Sequence, residues 1–269
     1  MVRFLVCVFP ILLMLSCNGA VSIESPELKN VFMGTNHLVI YWERNELIEN
    51  SADFAGYNVY VYTDSIALLV DDGEDLNKFN SQIIQDTSFQ ADGVLQDSMY
   101  FVQVRTVNIE NKVGGYNSNT PFLVGSPRPA FTVTLKLADE SQPVNDSCAV
   151  RYSDGLIVVD SSMVDSIADM WVKVSGDTVR LVSPVSHPLY GSGARETMFV
   201  NVGPGDFSTI SMVTTEPSSD QTDVAVGDIV IAKNEDGNYV KLYIDAVDIQ
   251  NGAITILYAY QNISGFPYF

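Results

Sequence analysis

Residues 37–62, HLVIYWERNELIENSADFAGYNVYVY, and their echo at 95–108, LQDSMYFVQVRTVN, decide how this chain is read. Leu38, Ile40 and Trp42 recur at every second position, as do Tyr57, Val59 and Val61, and then Tyr100, Val102 and Val104. A period of two is the mark of half-buried strands, so these segments are expected to form the central strand pairs of a small β-sandwich. The intervening positions then point outward: Asn58, Tyr60 and Tyr62 on one strand, Phe101, Gln103 and Arg105 on its neighbour. Exposed aromatic side chains gathered on one face mark a contact surface, and Tyr60, Tyr62, Phe101 and Arg105 are its candidate residues. The alternative is that this face is roofed by a second domain or by residues 63–87.

Working outward, residues 43–54 read as a polar loop, and Gly56 releases the next strand. Residues 65–79, SIALLVDDGEDLNKF, combine a short apolar run with a turn at Asp71-Asp72-Gly73 and are read neither as helix nor as strand. Pro127 and Pro129, with Gly125 just before them, mark a stiff connection and place a domain boundary there. Strand signals resume at once. Residues 131–137 alternate, 156–159 form a short apolar run, and 171–174 turn through Ser175-Gly176-Asp177 into 178–182 as a hairpin. Residues 229–232 lead to the turn Asn234-Glu235-Asp236-Gly237-Asn238 and return at 239–244, and Gly252 opens a final strand over 254–261. No helical periodicity interrupts them, so a second antiparallel β-domain, a small barrel or sandwich, is expected over 130–269.

Trp42 on an early strand, Gly56-Tyr57 opening the next, and Leu95 five places before Tyr100 make residues 26–126 resemble a fibronectin type III domain. The resemblance implies that Trp42 fills the space between two sheets and that Tyr100 closes a corner by hydrogen bonding to nearby backbone. Glu43 stands where the family usually has a proline, and 63–87 is longer than its usual connection. In the second half, VGDIVIAKNEDGNYVKLYIDAV and the closing AYQ resemble the β-domain of some bacterial haem-capturing surface lipoproteins. Haem iron needs axial His, Met, Cys or Tyr ligands, and this half holds one histidine, His187. Relatives with no known ligand are therefore the better comparison, and no cofactor is expected.

The start of the chain supplies an address. Arg3 precedes an apolar stretch over 4–15, the size of a signal-peptide core and too short to span a bilayer. Leu13-Met14-Leu15-Ser16-Cys17 resembles a bacterial lipobox. It implies a signal peptide at 1–16, a lipid-modified Cys17 and a short tether over 17–25, with Asn18 favouring the outer membrane; ordinary secretion is the alternative. Several acyl chains on one residue anchor stably, each buried CH₂ contributing about 0.8 kcal/mol. Of the other cysteines, Cys7 leaves with such a leader and Cys148 reads as a small buried hydrophobe. No disulfide framework or C-x-x-C metal pair exists.

The chain has 269 residues, with 14 basic against 33 acidic side chains and a net charge of −19. That balance argues against nucleic acid and against docking on anionic lipid. Catalysis lacks its parts: the histidines are only His37 and His187, no G-x-S-x-G occurs, and Gly191-Ser192-Gly193 lacks the lysine of a phosphate loop. The acidic runs at 71–75 and 234–238 hold oxygen ligands without calcium-loop spacing, so turns explain them. The expectation is a non-catalytic, lipid-anchored envelope protein mediating binding or adhesion to a protein or glycan partner. Capture of haem or a glycan by the C-terminal domain, or an accessory role in polysaccharide degradation, are the alternatives.

Overall fold

The computed structural model describes residues 23–71, 77–139, 147–159, 161, 165 and 167–269. The expected signal peptide, Cys17 and most of the tether lie outside the described residues, as does 72–76 of the first acidic run.

The first part of the chain runs β1 (Leu28–Met33), β2 (His37–Trp42), α1 (Glu46–Glu49), β3 (Phe54–Tyr62), α2 (Ser65–Val70), β4 (Ser88–Asp92), β5 (Tyr100–Asn108) and β6 (Leu123–Gly125). Two antiparallel sheets result, β1-β2-β4 and β3-β5-β6. Their facing sides close on one core in which Leu38, Ile40 and Trp42 meet Tyr57, Val59, Val61, Val102 and Val104. The residues expected to point inward from these strands all pack in this core, with Tyr100 at its margin. Trp42 lies edge-on to Tyr57, and the Leu95 N–H donates to the Tyr100 hydroxyl over 3.0 Å, closing the corner before β5. β3 begins at Phe54 rather than at Gly56; Gly56, at φ 143°, sits in a bulge where the backbone of Ile84 passes too close for any Cβ.

The outward side of β3 and β5 differs from the expectation. Tyr60 is 0% exposed and Arg105 1%, so neither belongs to a contact surface; Phe101 is half-buried with its ring against Phe122, and Tyr62 alone, at 42%, is open. The cover comes from residues 64–71 and 78–84. Asp64 caps α2 by accepting from the N–H groups of Ile66 and Ala67, which turns the ambiguous apolar run into a helix and drives Leu68 into the sheet face. Arg105 then donates to the carbonyls of Leu68 and Asp71 at the far end of α2, over 3.0 and 2.8 Å, satisfying acceptors that a helix C-terminus leaves unpaired. Its guanidinium also lies over the Tyr60 ring at 5.0 Å and bonds Gln103. Residues 78–84 complete the roof by bridging to Tyr60 and Tyr57 along the edge of β3.

The remaining strands are β7 (Ala130–Lys136), β8 (Ala138–Asp139), β9 (Ala149–Val150), β10 (Ile157–Val158), β11 (Met170–Ser175), β12 (Thr178–Val182), β13 (Thr197–Pro204), β14 (Gln221–Val224), β15 (Asp228–Asn234), β16 (Tyr239–Asp248) and β17 (Ala253–Tyr260). They form the sheets β13-β15-β16-β17-β7 and β10-β9-β11-β12-β14, the latter with β8 alongside β11 as a parallel exception to the antiparallel pattern. The two sheets face each other as a sandwich rather than a barrel. Trp171, Tyr152 and Cys148 from one, and Tyr258, Leu242 and Phe199 from the other, meet in its core.

The outer face of the β15-β16 hairpin is roofed as well. Ile229, Ile231 and Tyr239 pack under Ile210, Val213 and Phe269, and residues 211–213 exchange backbone bonds with 267–269. The same final stretch reaches the first sandwich, where Phe266 is buried in the core and Ile263 and Tyr268 pack beside it. Arg128 ties the connection down by donating its N–H to the Gly34 carbonyl and laying its guanidinium over Phe269.

Because Leu68 is the side chain that seats α2 on the sheet, Leu68→Ala is expected to lower stability in urea denaturation by about 3 kcal/mol.

Candidate functional site

A cleft opens at an end of the second sandwich, where several strands start or stop. Sheet β10-β9-β11-β12-β14 brings Arg151 and Ser153 from the turn after β9 and Asp169 from the position before β11. The opposing sheet brings Asn234 and Asp236 from the β15-β16 turn and Tyr260 from the end of β17. Arg195, just ahead of β13, lies between them, and Ile167 completes the wall of a cavity of about 240 Å³.

Asp169 is its anchor. One carboxylate oxygen accepts from Arg195 Nε at 2.8 Å and from Asn234 at 3.3 Å, and the other accepts from the Tyr152 N–H at 2.8 Å. Burial pushes this carboxyl above the usual carboxylate range, while the Tyr152 N–H and Arg195 pull it back. Arg195 bonds Asp236 through Nη2, so one guanidinium is held between two carboxylates. Arg151 pairs with Asp154 at the outer lip. Burial also raises the phenols of Tyr260, in the cleft wall, and of Tyr152.

The turn geometry explains why Asp236 faces Arg195. Gly237 takes a φ of 82°, its N–H bonds the Asn234 carbonyl, and the Asn234 side chain accepts from the Asn238 N–H. The second acidic run therefore supplies a turn and one partner for an arginine. Among the described residues no group of three His, Cys, Asp or Glu side chains is placed to hold a metal ion.

Lys241 is a second unusual group. It alternates outward from β16 yet is 2% exposed, with Nζ donating to the Ile210 carbonyl at 2.6 Å and lying 4.4 Å from the Phe207 ring centre. Burial, reinforced by Arg128, pushes its ammonium down to about 7. His187 is also buried. Its ring lies between Trp171 and Tyr190, and its Nδ1 accepts from the N–H groups of Leu189 and Tyr190, so that nitrogen is turned inward.

Sequence reasoning named none of the cleft residues as a site. Asp236 was read only as part of a turn, while Asp169 and Arg195 stand singly among unrelated neighbours and gave no signal. Tyr60, Tyr62, Phe101 and Arg105 lie in the other sandwich and take no part in the cleft.

No protein-family model matches the chain, and no curated protein matches it. Among solved structures, a family 28 exopolygalacturonase of Yersinia enterocolitica aligns over 46% of this chain and 24% of its own, at 12% identity and a TM-score of 0.26. The alignment thus spans about a quarter of that enzyme, and a likeness at this level carries no argument about fold or chemistry.

Two measurements check the electrostatics. Asp169→Ala leaves Arg195 largely buried with one partner removed, and is expected to cost about 3 kcal/mol in thermal or urea unfolding. Lys241 has a lower affinity for its proton in the folded than in the unfolded chain, so its burial penalty is complete below pH 7 and fades toward pH 10.5. Relative to Lys241→Met, wild-type stability should rise by about 1.4 kcal/mol per pH unit across that window.

Proposed function

We propose that this chain is a non-catalytic, lipid-anchored protein of the bacterial envelope, built on a fibronectin type III-like sandwich, whose second β-domain makes the binding contact. The observation that carries the binding reading is the state of Asp169. It is the buried carboxylate in the cleft, with a raised proton affinity of the kind catalytic acids have, yet both its oxygens are taken by Arg195, Asn234 and the Tyr152 N–H. A carboxylate that accepts three hydrogen bonds in this way orients neighbouring donors, which suits a binding role.

Trp42 between the sheets and the Tyr100 corner support the fibronectin-like reading. The lipobox-like run ending in Cys17 supports the anchor. Between the two small-ligand alternatives, a glycan is favoured over haem, because the one histidine of this half, His187, is buried with its ring packed between Trp171 and Tyr190.

Two experiments test these parts separately. Cys17→Ser should move the protein from the membrane to the soluble fraction, and a variant still fractionating with membranes rules the anchor out. Cells lacking the protein should adhere several-fold less well than wild type to their natural surface; equal adherence counts against the binding role.

A further inference from the structure

We propose that the Asp169–Arg195–Asp236 cleft takes a neutral sugar unit, an inference that rests on the binding reading above and gives it a ligand class. Charge is the first argument. Two arginines and two aspartates line the cavity, and they face one another. A phosphate or carboxylate entering it meets Asp169 and Asp236, and a cation meets two guanidinium groups. A ligand with no net charge avoids both penalties.

Hydrogen-bonding capacity is the second. A guanidinium carries five N–H donors; Arg195 commits Nε to Asp169 and Nη2 to Asp236, so its Nη1 donors remain for a ligand. Asp236, with an exposed side chain, still offers acceptor capacity, and the Ser153 hydroxyl both donates and accepts. A sugar hydroxyl likewise donates and accepts, so it needs both kinds of neighbour within reach of one another. The cleft supplies them in alternation.

Preorganisation and size complete the case. Arg195 is held at two points and Asp169 at three, so side-chain order is established before any ligand arrives. The cavity of about 240 Å³ lies below the roughly 300–1,000 Å³ typical of sites for drug-sized ligands, which fits one ring of a glycan with the remainder outside. Ile167 gives that ring an apolar flank.

The test uses the full chain on an array of neutral mono- and oligosaccharides alongside uronic acid-containing ones, with hits measured by titration calorimetry. Asp236→Asn is the diagnostic variant, since its side chain is exposed and Arg195 keeps Asp169 as a partner; unchanged thermal unfolding verifies its fold. The expected result is binding of a neutral sugar that Asp236→Asn weakens tenfold or more. Binding confined to uronic acid sugars overturns the ligand class. Neutral-sugar binding that Asp236→Asn leaves unchanged overturns the site while the binding role stands. Absence of sugar binding overturns the inference altogether, and the adherence measurement then decides the broader reading independently.

Discussion

A sandwich sheet has two faces and one partner sheet, and in this protein the second face of the β3-β5 and β15-β16 strand pairs is buried as well, polar groups included. The rest of the architecture answers that constraint. Residues 64–71 and 78–84 roof β3 and β5, and residues 206–218 with the final stretch roof β15 and β16. Each roof closes over a cation, Arg105 in one case and Lys241 in the other. Irregular segments leave carbonyls that no ladder satisfies, and a buried cation beside aromatic rings can satisfy them: Arg105 takes those of Leu68 and Asp71 over Tyr60, and Lys241 takes that of Ile210 over Phe207.

This solution links the two halves. The stretch that covers Lys241 with Phe269 also inserts Phe266 into the first core, while Arg128 in the connection lies over the same Phe269. Packing on both sides of a short, proline-stiffened connection leaves the sandwiches little freedom to move independently.

With the sandwich faces occupied by cores and roofs, polar chemistry gathers at a strand end. The Asp169 cleft lies where β11 and β13 begin and β15 and β17 finish, so its groups come from turns and strand termini held by rigid neighbours. Its charges are spent on one another. That arrangement costs little in desolvation relative to an isolated charge and presents ordered donors and acceptors instead of a field.

The sequence by itself determined the all-β class, the inward residues of the strands flanking Trp42 and Tyr100, the β11-β12 and β15-β16 hairpins, and the burial of Cys148. Those features are local: alternation assigns a residue to a face, and Gly-Asp or Asp-Gly turns fix where a strand reverses. The tertiary structure alone decided whether the outer faces are wet. Tyr60 and Arg105 have the same alternation as exposed residues, and so does Lys241; the carbonyls that take the two cations lie 37 and 31 positions away in sequence, brought there by the helix capped at Asp64 and by packing of the final residues. The cleft was illegible for the same reason. Asp169, Arg195 and Asp236 acquire meaning only when two sheets bring their ends together, and no spacing along the chain encodes that meeting.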